Sequence, residues 1–452
     1  MHKLMKHIFN SNFQYSPLGV GGMNYYSLNH NSPKVNFAEA ALRGQAPDKG
    51  LYFPENIPQL PNGFIENINQ YSKEEIGFTV MKPYVGETIA DADLQKIINE
   101  TINFDFPLVK ITENIFSLEL FHGPTLAFKD VGARFMSRCL GYFNRNAYHK
   151  TTVLVATSGD TGGAVANGFL GVEGVDVIIL YPSGKVSKIQ ELQLTALGQN
   201  ITALEVNGTF DDCQAIVKQA FMDDDLHQKI NLTSANSINI ARWLPQQLYY
   251  FFAYQQWQEN EAPVISVPSG NFGNICAGIL AHVSGLPVKH FIAACNANDI
   301  IPKYLQTEQY IPKPAIATIS NAMDVGNPSN FIRIMELFHQ QFGSLKNKMS
   351  SMSVDDVTTA ETIQKVYQQY HYTLDPHGAV AYHALSEYLK NNNDKGFILE
   401  TAHPVKFPDT VEDATGQSID FPQQVQHLLS AEKKSIRMNA SFNDFKEWLL
   451  TK

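Results

Sequence analysis

The first residue that asks for a chemical explanation is Lys129, set between Phe128 and Asp130 in the stretch SLELFHGPTLAFKDVGARF, residues 117–135. It follows an apolar run and a tight His-Gly-Pro-Thr turn, His122 to Thr125. On an open surface such a lysine is an ordinary charge. Inside a cleft, desolvation lowers its proton affinity and the amine becomes a nucleophile or a base.

Four further loops carry groups that suit a ligand. PSGNFGN, Pro268 to Asn274, follows an apolar run from Val264 to Val267 and precedes a helical pattern. Gly270 and Gly273 allow a tight turn, and the loop N–H groups with the helix start form an anion site. Ser269 and Asn271 are expected to add side-chain donors. The spacing matches neither GxxxxGK[ST] nor GxGxxG. TSGDTGG, Thr157 to Gly163, is a second such loop, in which Ser158 and Thr161 suit a carboxylate. Asp160 repels an anion there unless something pairs with it. A helix cap is one role for it, and a hydrogen bond to a cofactor hydroxyl is another. PSGKVS, Pro182 to Ser187, offers Lys185, and SANSINIARW, Ser234 to Trp243, offers Asn239 and Arg242 on one helical face. In ETAHPVKF, Glu400 to Phe407, Thr401 sits just past a strand.

Each loop taken alone also suits a plain strand-to-helix turn, a polar cap or an exposed lysine. Together they offer a lysine, two glycine-rich anion loops and a hydroxyl beyond a late strand. A cofactor with an aldehyde, a phosphate and a polar ring uses all four, and pyridoxal 5'-phosphate is such a cofactor.

These loops need a scaffold that brings them to one edge. From about residue 150 short β-branched runs alternate with glycine- or serine-rich loops and helical segments, as in 151–171, 176–198 and 262–285. Apolar strands feeding helices predict an α/β protein with buried, mostly parallel sheets, which bind ligands beyond their carboxyl ends. At 452 residues the chain predicts more than one domain. A formal net charge of −10 without a basic block argues against a nucleic-acid surface. No apolar run approaches the roughly 20 residues of a membrane helix. Cys139, Cys213, Cys276 and Cys295 form no CxxC pair, which predicts a reducing compartment, the cytoplasm, and no metal site. Phe442, Phe445, Trp448 and Leu449 share one face of a C-terminal docking helix.

HGPTLAFKD, TSGDTGGA, PSGNFGN and TAHPVKF, with ALRGQAPDKGLYFP (41–54) ahead of them, together resemble the threonine synthase family. These are pyridoxal-phosphate enzymes of the tryptophan-synthase-β fold group, and the likeness runs from about Met23 to the C-terminus. It implies fold type II: two open, mostly parallel sheet domains with flanking helices, plus an N-terminal domain. The expected division is a leader without ordered structure at 1–22 and an N-terminal domain at 23–110. A larger cofactor-binding domain follows at 111–135 and 260–452, with a smaller one at 136–259. Lys129 matches the Schiff-base lysine, and Gly270, Asn271, Phe272, Gly273 and Asn274 match the cofactor-phosphate loop. Thr401 matches the hydroxyl that meets the pyridine nitrogen. Ser158, Asp160 and Thr161 match the loop around the substrate carboxylate and the cofactor's ring hydroxyl. Lys185, Asn239 and Arg242 are candidates for the substrate phosphate. The implied reaction turns O-phospho-L-homoserine and water into L-threonine and phosphate, in a monomer or homodimer. A phosphohomoserine lyase or a serine/threonine dehydratase on the same fold is the nearest alternative, and a non-catalytic metabolite-binding protein is an alternative of another class.

Overall fold

The computed structural model describes residues 22–145 and 150–452. The expected leader lies outside the described residues except for Gly22. Runs such as TTVLVA (Thr151–Ala156) and VISVP (Val264–Pro268) are buried at every position. A strand apolar on both faces must be covered on both, which drives these segments into sheets flanked by helices.

Six strands form the larger sheet, in the order Met349–Ser353, His290–Cys295, Val264–Pro268, Gly396–Glu400, Ile115–Glu119, Leu108–Lys110. All its pairings are parallel except the last, where Val109 faces Ser117. Five parallel strands form the smaller sheet, in the order Ile436–Asn439, Ile201–Asn207, Val175–Pro182, Thr151–Ala156, Asn231–Ser234. A three-stranded antiparallel sheet (Asn24–Ser27, Val35–Asn36, Tyr52–Pro54) and the helices Lys73–Val85 and Asp91–Thr101 make up the N-terminal part. One apolar core runs through all three parts and includes Tyr25, Phe37, Phe135, Val177, Trp243 and Phe291.

The strand pairings and one helix cut across three of the expected boundaries. Leu108–Lys110 is the antiparallel edge of the larger sheet rather than part of the N-terminal domain, because a short turn folds it back on Ile115–Glu119. The tail does not stay with residues 260–435. Ile436–Asn439 pairs with Leu204–Asn207, and the helix Phe442–Thr451 buries Phe445 and Leu449 against Cys213, Ile216 and Leu204 of the smaller domain. The apolar face of that helix needs a partner, and the uncovered edge and face of the smaller sheet supply one. The helix Lys129–Asn144 also runs across the expected 135/136 boundary.

The buried Arg333 ties the parts together. Its guanidinium donates to Tyr52 O (3.0 Å), Ile238 O (2.7 Å), Ser237 O (3.2 Å) and Asn330 Oδ1 (2.7 Å), and lies 4.4 Å from the Trp243 ring centroid. Phe445→Ala is expected to cost about 3–5 kcal/mol of stability, the range for truncating a buried aromatic. Thermal unfolding and limited proteolysis check it: a lower midpoint with early cleavage near residue 435 is expected, and an unchanged midpoint and digest count against the docking of the tail.

Candidate active site

The turn before Lys129 is fixed by Asp130. Its buried carboxylate accepts from Thr125 N (2.9 Å) and Thr125 Oγ1 (2.5 Å), and a Cβ on Gly123 would fall 2.5 Å from Asp130 Oδ2. The peptide of Phe128 is gripped on both sides. Its N–H donates to Thr401 O (2.9 Å), and Tyr249 OH donates to its carbonyl. An isolated antiparallel bridge joins Ala127 to Ala402. The lysine-bearing turn and the Thr401 loop are therefore one hydrogen-bonded unit at the carboxyl ends of adjacent parallel strands. Lys129 opens its helix, is half-buried, and its amine has no hydrogen-bond or ion-pair partner among the described residues. Burial lowers its proton affinity, Lys406 and Arg242 add to that, and Asp160 opposes it.

At the phosphate-loop candidate the chain leaves Val264–Pro268 and enters the helix Gly273–Val283 through Phe272, whose φ of 61° is left-handed. The backbone N–H groups of Gly270 to Asn274 make no hydrogen bond among the described residues. Asn274 Nδ2 is likewise buried without a partner. A row of free N–H groups at a helix start is an anion nest. The expected side-chain donors are spent elsewhere, which corrects that detail. Ser269 Oγ donates to Val267 O (2.8 Å) and Asn271 Nδ2 to Ser237 Oγ (2.7 Å), so the loop presents its backbone. Asn271 Oδ1 also accepts from Ser329 N (2.6 Å), and Asn330 Nδ2 donates to Asn271 O (3.1 Å). Gly270 is required: a Cβ there would meet Met323 Cα at 2.6 Å.

In TSGDTGG the Thr157 hydroxyl accepts from Gly159 N (3.0 Å) and Gly162 N (2.9 Å) and shapes the turn. The hydroxyls of Ser158 and Thr161 have no partner among the described residues. Asp160 is neither a side-chain cap nor an isolated charge. It opens the helix Asp160–Phe169 and pairs with the fully buried Lys406, Nζ to Oδ1 2.7 Å. Gln190 Nε2 donates to the same oxygen (2.9 Å). Burial alone raises a carboxyl's pKa, but Lys406 and Lys129 outweigh it and hold Asp160 well below the usual carboxylate range.

The three substrate-phosphate candidates part company. Arg242 is buried, donates to Ala235 O (2.6 Å), keeps Nε unpartnered among the described residues, and is pushed by burial to a pKa of about 10. Asn239 is corrected. It caps the helix Ile240–Trp243, and its amide serves Ala41 O, Ser234 O and Ala241 N, so no donor is left for a ligand. Lys185 is exposed in the loop after Val175–Pro182 and is not drawn into the Lys129 cluster. Thr401 is buried, and its hydroxyl has no partner among the described residues.

Lys406, Ser237 and Arg333 were not singled out from the sequence. Lys406 carried the same signal as Lys129, a lysine inside an apolar run (Val405-Lys406-Phe407) next to a turn. Ser237 and Arg333 carried none, because their roles depend on chain segments far apart in sequence. Among the described residues no group of side chains has the makings of a metal site, and no helix is long and apolar enough to cross a membrane.

A free half-buried amine, a nest of unpartnered N–H groups, the orphaned Asn274 amide and an unpaired Thr401 hydroxyl fit the aldehyde, phosphate and ring nitrogen of pyridoxal phosphate. Comparison with known proteins agrees. A family model for pyridoxal-phosphate dependent enzymes matches residues 107–399. Models for the threonine synthase N terminus and C-terminal region match 24–102 and 378–448. The threonine synthase of Haemophilus influenzae is 43% identical over 430 residues, covering 95% of this chain and 100% of the relative. The crystal structure of threonine synthase from Escherichia coli superposes with a TM-score of 0.89 at 41% identity, covering 95% of this chain and 100% of that one. A PLP-bound threonine synthase from Brucella melitensis gives 0.90 at 34%, covering 95% and 99%. With likeness of this depth along nearly its whole length, and a cleft whose free groups suit the cofactor, this chain belongs to the threonine synthase family of pyridoxal-phosphate enzymes.

Proposed function

We propose that the chain converts O-phospho-L-homoserine and water into L-threonine and phosphate, the last step of threonine biosynthesis. The observation that carries this reading is the unpartnered Lys129 amine, held beside Asp160, Lys406 and Arg242 in one cleft. The Lys129 amine would hold the cofactor through its aldehyde carbon, the N–H groups of Gly270 to Asn274 would hold its phosphate, and Thr401 would serve its ring nitrogen. Bound there, pyridoxal phosphate supplies a carbonyl carbon for an amine and a ring that accepts the electrons of a broken C–H bond.

The rest is work for the chain. Burial and two neighbouring cations keep Lys129 able to shed its proton, so it removes the substrate's α-proton and later returns one to the α-carbon. Ser158 and Thr161 orient the substrate carboxylate at the start of the helix Asp160–Phe169, where the free N–H groups favour an anion. Arg242, with its free Nε, is the better placed of the original candidates for the substrate phosphate. The four cysteines are buried and unpaired, which supports a cytoplasmic protein. The domain division we propose keeps Leu108–Lys110 with the larger sheet and 436–452 with the smaller one.

Purified protein given O-phospho-L-homoserine is expected to release threonine and phosphate in equal amounts. Phosphate with 2-oxobutyrate and no threonine assigns a lyase instead, and no turnover with no cofactor uptake assigns a binding protein. Lys129→Ala is expected to lose the visible cofactor absorbance and at least about 10²–10⁴-fold in kcat. Gly270→Ala is expected to weaken cofactor binding roughly 10-fold or more, the equivalent of about 1.4 kcal/mol, because its Cβ meets backbone at Met323. Titration of cofactor into the stripped protein measures this, and unchanged affinity removes the loop from the site. Thr401→Asp puts an anion where a neutral hydroxyl stands and is expected to raise the share of 2-oxobutyrate among the products. An unchanged product ratio counts against Thr401 as the ring's partner.

A further inference from the structure

Lys406 and Asp160 come from different sheets. Lys406 lies six residues past Gly396–Glu400 of the larger sheet, and Asp160 four past Thr151–Ala156 of the smaller. Both are buried, and their charged atoms meet at 2.7 Å. Lys406 Nζ also donates to Thr125 O (2.9 Å), in the turn that carries Lys129. The smaller domain reaches the same two acceptors from the helix Lys188–Thr195: Gln193 Nε2 donates to Thr125 O (3.1 Å), and Gln190 Nε2 to Asp160 Oδ1 (2.9 Å). The contact is specified on the glycine side as well. Gly159 has a φ of 142°, and a Cβ there would lie 2.6 Å from the Gln190 amide.

We propose that Lys406 is a positioning residue of the reaction: its ion pair with Asp160 and its bond to Thr125 clasp the two sheets across the cleft and set the charge balance around the Lys129 amine. As a structural tie, the ammonium offsets the burial of the Asp160 carboxylate and bonds Thr125 O. A cation here does more. It engages Asp160, an anion that stabilises a protonated Lys129, and adds its own repulsion. The charged groups acting on Lys129 are Asp160, Lys406 and Arg242. Removing Lys406 leaves Asp160 free to pair with Lys129 and makes the amine harder to deprotonate. Removing the charge of Asp160 does the opposite.

The inference rests on Lys129 as the reacting amine, but its test does not require turnover. In the full chain stripped of cofactor, the rate of Lys129 acylation against pH, read by peptide mass spectrometry, reports its neutral fraction. Lys406→Gln is expected to slow acylation roughly 3- to 10-fold at fixed pH, since a tenfold change in neutral fraction matches one unit of pKa. Asp160→Asn is expected to speed it, and Lys406→Arg, which keeps the charge, to leave it near wild type. In the cofactor-loaded enzyme Lys406→Gln is expected to lower kcat by more than it raises KM. Should Lys406→Gln fail to fold, the acceleration in Asp160→Asn still decides. Equal acylation profiles in the folded variants, or shifts in the same direction, overturn the proposal even if threonine is formed. The expected opposite shifts without threonine production would leave the clasp standing and overturn only the proposed reaction.

Discussion

Asp160 is a carboxylate taken out of water at the mouth of a sheet, and an uncompensated ion in such a place costs several kcal/mol. Lys406 at 2.7 Å makes the position tenable, and the pair is satisfied by further bonds from Gln190 and to Thr125. Because the partners come from different sheets, meeting this electrostatic demand also sets how the two domains face each other. The geometry of the cleft follows from it. The Lys129 turn is held to the Thr401 loop through Phe128, and to the smaller domain through Thr125.

A second constraint acts on the backbone. Strands buried on both faces leave the connecting loops as the exposed ligand-facing parts, and parallel pairing puts the loops that follow the strands at one edge. Thr401 and the Lys129 turn follow adjacent strands of the larger sheet, and PSGNFGN follows the strand next to them. This explains why residues 129, 270 and 401 stand at one edge of the larger sheet. It also explains why Phe272 accepts a left-handed φ. The turn from Pro268 into the helix at Gly273 leaves five N–H groups without a partner among the described residues, and the strain of about 1–3 kcal/mol at such a residue is held by its buried ring against Phe331.

Much of this was legible in the residues. The glycine loops, the apolar strands and the lone lysine are local signals, set by neighbours within about ten positions. What escaped was nonlocal. Asp160 read as a cap or an oddity because its partner lies 246 positions later, and Asn239 read as a ligand donor because Ala41 O, which its amide bonds, belongs to another domain. The tail read as a docking helix, correctly, but its target was the edge of a sheet whose order no single segment encodes. Side-chain direction escaped for the same reason: Ser269 and Asn271 have donors, but only the packed structure turns those donors inward.

Arg333 and Lys406, two of the buried cations near the site, differ in kind, and the difference follows from what each must hold. Arg333 serves four oxygens on three chain segments and lies over Trp243, a task for a planar fork with several fixed donors. It has no carboxylate partner among the described residues, and burial brings its pKa to about 10, which still leaves it charged behind the loop of residues 270–274 at neutral pH. Lys406 serves one carboxylate and one carbonyl from a compact ammonium. Arginine therefore stands where backbone must be gathered, and lysine where a point charge must meet a buried carboxylate.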